Sequence, residues 1–398
     1  MQFGTCMFLA VISCILVSGQ NLSKSSRDGK LFSLFNVVTF ENGPCIGTQP
    51  AGGMGTCRTN TECAILVGGV SIGSCASGFG ICCMCLLSSS TGGIVTENST
   101  MLQSPLARAG VTDGMTIPFQ VNRPSSDVCF LRLDLESFVI MGPADTMETE
   151  GGVCVDTFTA TSKSGPITIC GTNSGQHIFV DFGSNTQSTL TFSFGTTPGG
   201  TMAMREWRIR VDQISCLAMN TPPTGCIQYH TSLIGQIQTF NFEGSNGHLA
   251  NQRQNVCIRQ ASGYCCVEYQ VCPTTDTFSL DETPTPQSFS EGNCVAMPSD
   301  FVVIPGSSGS CSENPGTPLR SRYCGAFFNF AKDQLSNGIV CDCTPPFSVV
   351  FVTDKSSLAI GPRLFSRGIN NFFLFRHSPA DGALSGENHS NDQLIVMK

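Results

Sequence analysis

The chain has 398 residues, more than one compact core ordinarily holds, so two or three domains are expected. Only 13% of its residues are charged and 42 are glycine, a composition that suits turn-rich β-sandwiches and argues against helical bundles. With a net charge of -8 and no long basic patch, a nucleic-acid partner is not expected, because phosphate binding depends on clustered Lys and Arg that release counterions.

The chain begins MQFGTCMFLAVISCILVSGQ, an apolar run ending in small residues with Val17 and Gly19 at the -3 and -1 positions of a cleavage site. Residues 1–19 read as a secretory signal peptide. The run is shorter than the ~20 apolar residues a bilayer crossing needs, so no membrane span is expected. Twenty-three cysteines are hard to reconcile with a reducing cytosol and point to a secreted, extracellular protein. Three sequons fit that route and mark glycosylation at Asn21, Asn98 and Asn388, each at an expected module edge.

Residues 20–86 form the first expected module, rich in cysteine. Its apolar lead, LFSLFNVVTFENGP, precedes the spacing C-x11-C-x5-C-x11-C-x6-C-C from Cys45 to Cys83, interleaved with glycines that permit left-handed turns. Six cysteines allow fifteen pairings and the spacing selects none. Zinc is disfavoured by the adjacent Cys82 and Cys83 and by the absence of histidine. Gly69-Val70-Ser71-Ile72-Gly73 matches the pattern of a hydrolase elbow, but that motif needs a strand-to-helix turn on an α/β sheet, and here it lies inside the cysteine-rich segment.

Residues 90–218 follow the two-residue period of half-buried strands. Leu131, Leu133 and Leu135 point one way and Arg132, Asp134 and Glu136 the other; Ile178, Val180 and Phe182, then Leu190, Phe192 and Phe194, repeat the pattern. In REWRIRVDQISC the inward set Trp207, Ile209 and Val211 changes phase before Ile214, which predicts a β-bulge near Asp212. The Pro-containing link MNTPPTG leads to a further module over residues 224–378, with strands expected in GQIQTFNF, NVCIRQ, CCVEYQVC, FVVIPG and PFSVVFV. The Thr, Pro and Ser-rich stretch from Pro273 to Glu291 is expected to be an exposed loop, and residues 379–398 a polar tail.

GTCRTNTECAILVGGVSIGSCASGFGICC, VCFLRLDLESFVIMGP, VCVDTFTA, ICGTNSGQHIFVDFG, REWRIRVDQISC, PTGCIQYHTSLIGQIQTFNF, GHLANQRQNVCIRQASGYC, FVVIPGSSGSC and SRYCG, in that order over residues 31–355, resemble an arthropod family of secreted CUB-domain proteins. The resemblance implies an all-β fold, with two CUB-like jelly-roll β-sandwiches preceded by a small disulfide-rich module. It also implies disulfides Cys226–Cys257 and Cys294–Cys324 in the second sandwich and Cys154–Cys170 in the first. Thr91 and Met115 stand where the other pair of the first sandwich would be, and Cys129 and Cys216 are expected to pair instead. RGINNFF, residues 368–374, loosely resembles the closing strand of such a domain without its tyrosine. Twenty-one cysteines remain after signal removal, an odd number, and Cys85, outside the family's framework, is the expected unpaired or intermolecular thiol.

Many CUB domains bind calcium through acidic end loops, and by that resemblance Glu136, Asp156 and Asp300 are the candidate ligands; no other cofactor is expected. A hard cation wants six or more oxygens, and the matching loop of the first sandwich, FGTTPGG, supplies no carboxylate. The five histidines, His177, His230, His248, His377 and His389, fall in no metal or protease spacing. No catalytic set is singled out. The expected function is non-enzymatic binding or adhesion, contacting extracellular proteins or glycans, and the alternative is a regulator or inhibitor of extracellular proteolysis or immunity acting through the cysteine-rich module.

Overall fold

A computed structural model of the chain describes residues 39–48, 53–105, 111–143, 152–197, 204–243, 248–272, 278, 280, 288–290, 294, 300–311, 319–354 and 372–379. The expected signal peptide, Asn21, Asn388 and the tail beyond Pro379 lie outside the described residues. From Glu41 onward the chain is one compact unit.

Its N-terminal part holds strands β1 (Pro44–Ile46), β2 (Met54–Arg58), β3 (Gly69–Cys75) and β4 (Gly80–Leu87), with helix α1 (Asn60–Ile65) between β2 and β3. Thr59 caps the helix: its hydroxyl accepts from the Glu62 amide while the Glu62 carboxylate accepts from the Thr59 amide. This fixed start turns Cys63 inward, where it pairs with Cys83; Cys45–Cys82 and Cys57–Cys75 complete the knot. Gly69 is needed beneath the helix, since a Cβ there would stand 2.0 Å from the Cys63 carbonyl oxygen. Ser71 lies in a strand that turns into another strand and pairs with Cys83, so the Gly69–Gly73 pattern is no nucleophile elbow.

Strands β5 (Gly93–Val95), β6 (Thr100–Gln103), β7 (Thr116–Asn122), β8 (Val128–Val139), β9 (Thr157–Ala160), β10 (Ile167–Ile169), β11 (His177–Asp181), β12 (Gln187–Ser193) and β13 (Glu206–Ser215) build the first sandwich. One of its sheets runs β10-β9-β12-β7-β5. The other, β6-β13-β8-β11, does not end at β6: β4 pairs with β6 in parallel, Leu86 beside Met101, so the cysteine-rich knot continues the same sheet. Leu131, Leu133, Leu135, Ile178, Val180, Leu190, Phe192, Trp207, Ile209 and Val211 are fully buried between the sheets. Each large side chain so buried contributes about 1.5–3 kcal/mol. Trp207 stacks on Phe192 with ring centroids 4.1 Å apart.

The expected bulge is displaced. The register of β13 against β8 slips between Arg208 and Ile209 and between Ile214 and Ser215, and the extra residues, Glu136 and Cys129, belong to β8. Because Glu136 is inserted, the inward set of β8 changes from Leu131, Leu133 and Leu135 to Phe138 and Ile140.

The second sandwich comprises β14 (Gln228–His230), β15 (Ile234–Gln238), β16 (Arg253–Ile258), β17 (Tyr264–Val271), β18 (Ser288–Ser290), β19 (Phe301–Ser307), β20 (Arg320–Gly325), β21 (Val340–Asp342), β22 (Ser348–Val352) and β23 (Phe372–Pro379). They form sheets β14-β16-β22-β19-β20-β18 and β15-β23-β17-β21. Strand β23, which begins in the segment resembling a closing strand, inserts between β15 and β17. Within the stretch expected to be an exposed loop, Phe278 and Leu280 are buried in this second core, and Leu280 bridges Gly325, so apolar residues there anchor the loop inward.

Candidate functional site at the joint of the two sandwiches

Asp156 sits just before β9 with no solvent exposure. Its Oδ1 accepts from Arg205 Nη2 (2.8 Å) and the Gly195 amide (3.0 Å), and its Oδ2 from Arg205 Nε (2.9 Å) and the Met141 amide (2.9 Å). The Arg205 side chain is itself buried, lies 5.0 Å from the Phe194 ring centroid and reaches Asp113 through Nη1. These bonds hold the guanidinium above its usual pKa, the Asp156 bond contributing most, while bonds from the Thr197 amide and then Arg205 hold Asp113 below the usual carboxylate range.

Glu136 pairs with Arg208 on the outer face of β8 and β13. Asp300, just before β19, accepts from the Asp354 amide and faces His248 Nε2. The calcium set implied by the resemblance therefore does not fit these residues: the oxygens of Asp156 are taken by a guanidinium and two amides, and Glu136 and Asp300 have other cationic or donor partners. Among the described residues no three acidic side chains bring oxygens within 4.8 Å of one another. The one cluster of metal-ligating type among the described residues, Cys266, Cys341 and Cys343, has its sulfurs in disulfides with Cys343, Cys311 and Cys266, which leaves no thiolate to bind a metal.

The structure joins Cys129 to Cys216, Cys154 to Cys170, Cys226 to Cys257 and Cys294 to Cys324. Cys85 and Cys265 are free thiols, and burial pushes the Cys85 thiol above its ordinary pKa. Asn98 is exposed beside β6, and its Oδ1 accepts from the Ser99 and Gln213 amides.

The most heavily built polar region is the joint between the sandwiches. The edge of β11 meets β14: the Phe179 amide donates to the Ile227 carbonyl (2.7 Å) and the Tyr229 amide to His177 Nε2 (3.1 Å). Beside this seam runs a glutamine ladder in which Gln254 donates to Gln228 and Gln228 to Gln176, each at 3.1 Å, while Gln176 donates to the Thr239 carbonyl. Asn241 and Asn173 form a second tie. The Asn241 amide donates to Asn173 Oδ1 at 2.7 Å, and Asn241 Oδ1 accepts from the Thr172 amide. Gly171, at φ +78°, makes room for it, since a Cβ would lie 1.8 Å from Asn241 Oδ1. Phe240 and Leu249 of the second sandwich are buried in the core of the first. Desolvated amide ladders of this kind are satisfied only in one arrangement, so they fix how the two bodies meet.

At the seam His177 and His230 stand edge to face, ring centroids 5.3 Å apart. Burial, then the His230 and Arg132 charges, hold His177 down to about 3, and burial with Arg132 holds His230 to about 4.

A comparison with protein-family models matches residues 223–382 to the animal CUB domain. The second sandwich is a CUB domain. No curated protein matches the chain. Among solved structures, the CUB1-EGF-CUB2 region of rat MASP-1 is 11% identical, covering 71% of this chain and 99% of that one with a TM-score of 0.22. The corresponding region of human MASP-1/3 is 12% identical, with 71% and 100% coverage and a TM-score of 0.23. The extracellular region of zebrafish Gpr126/Adgrg6 is 8% identical, with 72% and 37% coverage and a TM-score of 0.24.

Sequence reasoning missed Arg205 and the ladder of Gln176, Gln228 and Gln254. The available signal for Arg205 was an arginine opening an alternating strand in a chain poor in charge. The glutamines carry no local signal, since each lies at a strand end and acquires its partner from another part of the chain.

Proposed function

We propose that this is a secreted, non-enzymatic binding or adhesion protein that presents its two sandwiches to extracellular proteins or glycans. The CUB domain at residues 223–382 carries the reading, because such domains are extracellular protein-interaction modules. The joint supports it. Two bodies tied by buried amides and a shared core offer one fixed surface, which lowers the ordering cost of binding. The nine disulfides among the described residues suit the oxidising route, and Asn98, exposed with its carbonyl oxygen already anchored, suits glycan attachment through Nδ2. An Asn98→Gln protein secreted from a glycosylating host should run lighter by one glycan on a denaturing gel; unchanged mobility removes that site.

The test is crosslinking capture from native secretions using the full chain, with and without a calcium chelator. The expected result is capture of a protein or glycan partner that survives chelation, since Arg205 already serves as the cation beside Asp156. Clean turnover of an ester or glycoside by the purified chain would overturn the reading.

A second reading, a regulator or inhibitor of extracellular proteolysis, draws on the β3–β4 turn. There Phe79 is 65% exposed behind Ala76 and Ser77 in left-handed conformation, on a hairpin tied by three disulfides. Protease inhibition by the full chain that is lost on Phe79→Ala would favour it over simple adhesion.

A further inference from the structure

We propose that the seam between β11 and β14 is an acid-released joint, in which the imidazoles of His177 and His230 hold the two sandwiches together only as neutral rings. The geometry requires neutrality. The Tyr229 amide donates to His177 Nε2, so that nitrogen must carry a lone pair and the ring proton must sit on Nδ1. A proton on Nε2 would place two N–H groups face to face and break the bond that ties β14 to β11. His230 stands against the same ring, so a second proton would add a like charge at close range.

The charges around the pair give no relief. From β8, Arg132 faces both rings, and Asp134, the cross-strand neighbour of His177, is neutralised by Arg132 and by Arg210 of β13. From the second sandwich come the Tyr229 phenol and Arg259, whose amide donates to the His230 carbonyl and whose guanidinium donates to Thr231. Behind these, His377 Nε2 meets the Arg259 carbonyl. His248 Nε2 faces the Asp300 carboxylate and is not one of the two rings that meet at this seam. Acid therefore acts on the β11–β14 seam.

The sign follows from linkage. Both rings have folded pKa values depressed below 6.5, so an opened seam binds protons that the closed one cannot. The closed seam is at full strength above pH 6.5. Below that it loses up to about tenfold in its closing equilibrium per histidine per pH unit, about a hundredfold for the pair.

Hydrogen exchange on the full chain at pH 7.5 and pH 5, corrected for intrinsic rates, tests this. Protection in peptides covering residues 177–181 and 227–231 should fall by tenfold or more at pH 5 while β12 keeps its protection. The double variant His177→Gln, His230→Gln, which keeps an acceptor for Tyr229, should hold the seam closed at both values. Equal protection of the wild-type seam at both pH values overturns the proposal, as does a loss shared equally with β12. An acid response unchanged in the double variant, or in His177→Gln alone if the double variant does not fold, also overturns it. None of these outcomes bears on whether the protein binds an extracellular partner.

Discussion

Arg205 joins four separate parts of the first sandwich, and removing it leaves the Asp156 carboxylate buried with two amides and no counter-charge. Breaking a buried pair from one side costs about 3–5 kcal/mol. Arg205→Ala should lower the unfolding free energy read from a urea titration by that amount, and Arg205→Lys should recover only part of it because an ammonium cannot span both carboxylate oxygens and Asp113 at once. Asp342 behaves oppositely. It is buried on the core face of β21, where Thr344 supplies both bonds to Oδ1 and Oδ2 has no partner. Burial pushes its pKa up to about 6 from 3.8, so its carboxyl binds a proton more tightly in the folded state. Its own contribution to stability is then greatest below pH 3.8 and falls as pH rises through 6, by about 3 kcal/mol in all. Asp342→Asn should remove this slope and raise the melting temperature at pH 7; an unchanged pH profile would count against the burial. The contrast marks what the chain discloses. Asp156 stood out by the family resemblance, but Arg205 did not, since its partners at 113, 156 and 195 come together only after the strands have paired.

Strands were legible because alternation survives in any environment with one wet face. Leu131, Leu133 and Leu135, or Phe192 and Phe194, bury as their spacing requires. The bulges were not, because a phase change in β13 is resolved by its neighbour: the inserted residues Glu136 and Cys129 lie on β8. Tight connections show the same dependence. Gly171 follows Cys170 and looks like one more glycine in a turn-rich chain, yet it is the position where the second sandwich's Asn241 enters the first. Gly171→Ala combines a strained left-handed backbone with a clash against that side chain, so it should cost about 1–3 kcal/mol. The effect should show as faster exchange at Thr172 and Asn241 with little change on β12. Equal loosening of β12 would mean that the glycine serves the first core and not the joint.

At the scale of the whole molecule, cysteine spacing divides the chain into blocks, but the backbone runs across the first of the divisions. Strand β4 ends at Leu87 and lies parallel to β6, and Met101 of β6 packs with Ile72, Cys82 and Met84 in one small core. Sequence alone could not place this contact, because a parallel pair leaves no hairpin signature and its two strands are separated by a loop and another strand. The consequence is that the knot and the first sandwich should share their stability. A fragment of residues 90–218 would expose Met101 and the β6 edge, an apolar invitation to pair with other chains. Residues 41–218 would keep both covered. Both fragments lack Phe240 and Leu249 of the joint, so the comparison isolates the knot: in the same oxidising host the longer fragment should be the more soluble, and the shorter should aggregate or melt well below it. If both behaved alike in size-exclusion and thermal profiles, the β4–β6 pairing would contribute nothing to the first sandwich, and the knot would be an independent module after all.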